Sequence, residues 1–289
     1  MTTDRDTIPH REPARDDAPL RVGTVPYLVG RPLDVGLEDE PGIDLRYEVP
    51  ALLVEDLRRG DLDVALVSSI ELFRRPGYRF IDGIAVCGES YVGSVQVFLR
   101  KPIQEVESIA LDPSSRAAAA LTRTLLDERE GGPPKFLEVP LGEDPRAVEG
   151  ADAWLRIGDA ALRETLTLDI PAWNPSEEWR RRTGMPFVFA AWIVREDAPI
   201  EPHIEAFTRA RARGRASIGE LAREASERWS LPESRCLEYL EEECSYDPGA
   251  AMAPSLAEFR RRAAQADLCN TNYVPDPIAP TLSLDGALD

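Results

Sequence analysis

The chain has 289 residues, 43% of them apolar and 30% charged, with a formal net charge of −18 and a pI near 4.7. This length and apolar content suit one large domain or two lobes with a real core. The negative excess disfavours nonspecific binding to nucleic acid or an anionic membrane, so an anionic ligand must find a locally favourable pocket.

Residues 1–19 are charged and proline-bearing, with no apolar core. They read as a disordered tail, not a signal peptide. No run approaches the roughly 20 apolar residues of a membrane span, so the expected setting is the cytoplasm, with no membrane partner. "LRVGTV" (20–25) is a short apolar strand, and "YLVGRPLDVGL" leads into a short helical segment. "IDLRYEVP" (43–50) alternates like a strand, and "ALLVEDLRRG" (51–60) has helical spacing with a glycine stop. "LDVALVSSIELFRR" (62–75) is a buried strand ending in Ser68 and Ser69, then a helix start. Strand, helix, strand, helix, strand in this order describes a parallel α/β sheet.

"FIDGIAVCGESYVGSVQVFLRK" (80–101) reads as two extended segments around a turn. "SIALDPSSRAAAALTRTLLDER" (108–129) repeats the grammar of strand, serine-bearing turn and alanine-rich helix, and "ADAWLRIGDAALRE" (151–164) does so through a Gly-Asp turn. "MPFVFAAWIVRE" (185–196) is a strong apolar strand, and from Pro202 onward the pattern is helical. The expected division is a first lobe of residues 20–100 plus 190–268 and a second of 101–189, with 269–289 as a C-terminal tail. Two crossings between lobes make a hinge, and a ligand belongs in the cleft between them.

Histidine is scarce: only His10 and His203 occur. A Ser-His-Asp hydrolase or a multi-histidine metal site is therefore not expected. Cys87, Cys236, Cys244 and Cys269 contain no CxxC pair and match no zinc or iron–sulfur spacing, so they read as reduced thiols. The chemistry falls instead on strand-to-helix turns, where α/β sheets bind ligands. At Asp112, Pro113, Ser114, Ser115 and Arg116, a helix start offers free N–H groups, serine donors and a guanidinium, a seat for a carboxylate or phosphate. An ordinary N-cap is the alternative. Ser68–Ser69 and Gly158–Asp159 occupy equivalent turns, and three such turns facing one cleft suggest a small polar anion. Ser94 begins an apolar strand. Glu71 reads as a cap or dipole partner, and "RARARGR" (209–215) as a solvated face.

The segments "GDLDVALVSSIELFR", "ALDPSSRAAAAL", "LRIGDAAL" and "EEWRRRTGMPFVFAAW" resemble the chorismate dehydratases of the futalosine route to menaquinone. The similarity runs in order from about residue 20 to 265. It implies an α/β chain with the two-lobed fold of type II periplasmic binding proteins and a ligand cleft between the lobes. The implied enzyme is cytoplasmic, a monomer or homodimer, with chorismate, a small dicarboxylate, as its partner and neither metal nor organic cofactor.

The implied reaction is elimination of water from chorismate to give 3-[(1-carboxyvinyl)oxy]benzoate, with the substrate's own enolpyruvyl carboxylate as base. Ser94 matches the serine implicated near the reacting centre. The substrate-binding set is Tyr27, Val29, Ser68, Ser69, Ser114, Ser115, Arg116, Gly158 and Asp159. The pattern departs at "TVPYLVGRPL", where Pro26 and Val29 stand in place of two asparagines, the second of them functional in the family. No catalytic asparagine is carried over; Tyr27, Ser94 or a water takes its part, or the ligand differs. A noncatalytic carboxylate binder is the other class. The sibling enzyme that makes 1,4-dihydroxy-6-naphthoate uses a histidine, for which the motif turns offer no candidate.

Overall fold

A computed structural model describes residues 18–114 and 116–280. The chain starts with β1 (Leu20–Thr24), β2 (Ile43–Tyr47), α1 (Pro50–Arg59), β3 (Val64–Ser68) and β4 (Tyr78–Gly88). It continues through β5 (Val95–Leu99), β6 (Ser108–Leu111), α2 (Arg116–Asp127), β7 (Lys135–Glu138), β8 (Ala153–Ile157), α3 (Gly158–Thr167), β9 (Ala172–Trp173) and α4 (Pro175–Thr183). It closes with β10 (Phe187–Arg195), α5 (Ile204–Ala216), α6 (Ile218–Trp229), α7 (Glu233–Glu238), β11 (Cys244–Ser245), α8 (Met252–Gln265) and β12 (Asp276–Ile278).

Two sheets result. The first runs β11-β4-β10-β3-β1-β2 with β12 beside β4, and the second runs β7-β6-β8-β5-β9. β1 pairs in parallel with β2 and β3, whereas β10 is antiparallel to both β3 and β4. Local chemistry explains the repeated strand–turn–helix units. Every residue of β3 is buried, as its unbroken apolar run requires. Proline at the first position of α1 costs no hydrogen bond, and Gly60 ends the helix in the left-handed region at φ 77°. In α2, the small side chains of Ala117, Ala118 and Ala120 are fully covered and let the helix lie close to its neighbours.

Three boundaries differ from the expected ones. β5 pairs with β8 and β9, so the extended segments 80–88 and 95–99 belong to different sheets and form no hairpin. Pairing in the first sheet resumes at Phe187, ahead of residue 190. Within the supposed C-terminal tail, Asp276–Ile278 makes a parallel strand on β4. Local pattern cannot report these outcomes, because each rests on a distant pairing partner.

A candidate ligand cleft between the lobes

The chain leaves the first sheet after β4 and rejoins it at β10, and the space between the two sheets holds a cavity lined from both. Its walls are mainly aliphatic: Val25, Leu66, Val67, Val86, Val92, Val95 and Ile157 all reach it. Phe189 also lines it, from an irregularity in the pairing of β10 with β4 between Val188 and Ala190. A bulge of this kind re-aims a side chain that regular alternation would place elsewhere. Among the described residues, no Asp, Glu, His, Arg or Lys lines the cavity.

The polar groups sit at the turns. Ser68 ends β3, and its Oγ accepts from the Ala117 N–H of α2 at 3.3 Å, so a hydroxyl of one lobe meets a helix start of the other. Ser114 lies within hydrogen-bonding reach of the Tyr27 phenol, whose pKa burial raises. Gly158 opens α3 at φ +66°, a conformation that favours glycine, and its N–H donates to the Ser94 carbonyl at 2.8 Å. Ser94 Oγ accepts from the Tyr239 hydroxyl at 2.7 Å. Asp112 ties the turns together, its carboxylate accepting from the Ser114 N–H at 2.9 Å and the Ile157 N–H at 3.2 Å.

The structure thus brings Tyr27, Val29, Ser68, Ser94, Ser114 and Gly158 onto one cavity. Asp159 is adjacent, not in the lining; burial raises its carboxyl to about 6, against the support of the Leu28 backbone N–H across the cleft. Ser69 turns away and donates to the Val188 carbonyl at 2.6 Å, fully buried. Arg116 lies outside this lining, in a separate depression with Arg74 and Arg123. Ser115 lies outside the described residues. Glu71 is no cap: fully buried, it takes a bidentate pair from Arg58 at 2.8 and 2.6 Å.

Sequence reasoning did not place Phe189, Tyr239, Cys87 or Cys244 at the site. Both thiols line the cavity and burial raises both, Cys244 to about 12, so they are neutral there. Tyr239 lies 145 residues from Ser94, beyond any local spacing signal.

A ligand cleft between two α/β lobes, with polar strand-to-helix turns on both sides, is the plan of the type II periplasmic-binding-protein-like fold. Protein AF1704 of Archaeoglobus fulgidus aligns with a TM-score of 0.70 at 16% identity, over 88% of this chain and 100% of that one. A conserved Candida albicans protein with the generic periplasmic binding protein fold aligns at 0.59 and 12% identity, over 94% and 100%. The model of a family described as menaquinone biosynthesis matches residues 20–265, and the chain belongs to that family. The chorismate dehydratase of Thermus thermophilus is 28% identical over 224 residues, 71% of this chain and 80% of that protein.

Proposed function

We propose that this protein is a chorismate dehydratase, a hydro-lyase that removes water from chorismate to give 3-[(1-carboxyvinyl)oxy]benzoate. The similarity to the Thermus thermophilus enzyme, spread over most of both chains, carries the reading. In the reaction a ring C–H proton and the ring hydroxyl leave together as water, and the new double bond completes the aromatic ring. Among the described residues the cavity lining offers no carboxylate or imidazole to take the proton, which suits a mechanism in which the substrate's enolpyruvyl carboxylate is the base. The mainly aliphatic walls lower the local dielectric, which would make that carboxylate a stronger base and the hydroxyls of Ser94, Ser68 and Ser114 stronger donors than in solution. The starts of α2 and α3 border the same space through Ser114 and Gly158, and the positive ends of their dipoles suit the two substrate carboxylates.

Mixing purified protein with chorismate tests this. The expected result is loss of the chorismate absorbance with appearance of a product lighter by one water. A second reading, a binding protein without turnover, draws on Val29, an aliphatic side chain in the cavity where the family has an amide. Thermal stabilisation by chorismate with no product would favour it.

A further inference from the structure

Tyr239–Glu243 is a π-helical turn, a rare geometry that recurs at functional sites. Two of its residues grip the same stretch of β5's approach. The Tyr239 hydroxyl donates to Ser94 Oγ at 2.7 Å, and the Glu243 carboxylate accepts from the Gly93 N–H at 2.7 Å. Glu243 is itself held by Arg235 at 2.7 Å. Gly93 permits the approach, since a Cβ there would run into the Arg235 guanidinium. Tyr239 is buried, and burial keeps its phenol protonated far beyond the ordinary range.

We propose that Tyr239 is the positioning residue for Ser94: its O–H occupies the serine oxygen and obliges the serine proton to point into the cleft, toward the departing ring hydroxyl. This deepens the chorismate reading and rests on it. Ser94 Oγ has no other hydrogen-bond partner among the described residues, so its proton is unspent within the protein. A hydroxyl that accepts one hydrogen bond donates the next more strongly. Phenylalanine at 239 would keep the ring and its packing while freeing Ser94 to rotate.

The test compares wild type, Tyr239→Phe, Ser94→Ala and the double variant as full chains turning over chorismate. Tyr239→Phe is expected to lower kcat about 10-fold, with KM within about twofold and the melting temperature within a few degrees. Ser94→Ala is expected to lose about 100-fold in kcat, and the double variant to be no slower than Ser94→Ala alone. Full-rate Tyr239→Phe overturns the proposal, as do losses that multiply in the double variant, which would make the phenol act apart from the serine. A Tyr239→Phe enzyme with a raised KM and a much lower melting temperature would make the residue a packing element only, and also overturns it. An inert wild type overturns the chorismate reading first, and this inference with it.

Discussion

Ser68 and Ser69 are neighbours in sequence and do different work. Ser68 closes β3 at the cavity, whereas Ser69 spends its hydroxyl on the Val188 carbonyl inside the core. Ser69→Ala should therefore cost about 1–2 kcal/mol of stability in a urea melt and leave kcat and KM unchanged; a kinetic loss without a stability loss would place it in the cleft. Arg116 invites a comparable test. It shares its depression with Arg74, whose charge is opposed by burial and by Arg116 itself. Arg116→Ala should keep KM for chorismate within about twofold, and a rise of 10-fold would show a substrate contact. At this scale the sequence shows which turns carry hydroxyls, but not which of two adjacent side chains faces inward. That choice is made where β3 ends and the next turn of helix begins.

At the scale of elements, α3 brings a pH dependence of its own through Asp159, beside that of the buried Asp34 carboxyl, which burial raises to about 7. Burial raises the Asp159 carboxyl from 3.8 to about 6. Between those values the folded protein keeps a proton that the unfolded chain has released, so stability falls as pH rises through this window and the full cost is present above it. Asp159→Asn should be more stable than wild type at pH 7.5 by about 1–2 kcal/mol, less than the whole shift because the side chain is partly exposed. Near pH 4 the difference should vanish. A variant no more stable than wild type at pH 7.5 would refute the assignment. The strand–turn–helix units holding Ser68, Ser114 and Gly158 were legible because apolar runs and helical spacing alternate there. α4 was not, since Trp179 is its one large apolar residue and no stripe forms. Its Asn174 cap, Pro175 and Gly184 were the available signals. The π-helical turn had none, for its residues read as a continuation of α7.

For the molecule as a whole, the two-lobed plan followed from the order of elements, while the sheet that claims β5 or β12 depended on long-range pairing. The net charge of −18 makes a further expectation. A doubly negative substrate approaches a negative protein, and raising ionic strength from about 0.01 to 0.15 M shortens the screening length from about 30 to 8 Å. kcat/KM for chorismate should rise with salt over this range; a fall would mean that the seam near Arg74 and Arg116 attracts the substrate.

The Ser68 contact to Ala117 and the meeting of Tyr27 with Ser114 join the two halves through groups that border the cavity. A guest whose entry parts these contacts would wait on the opening of the halves. In a stopped-flow experiment the observed binding rate should level off with rising ligand concentration, its plateau set by the protein's own breathing and not by diffusion.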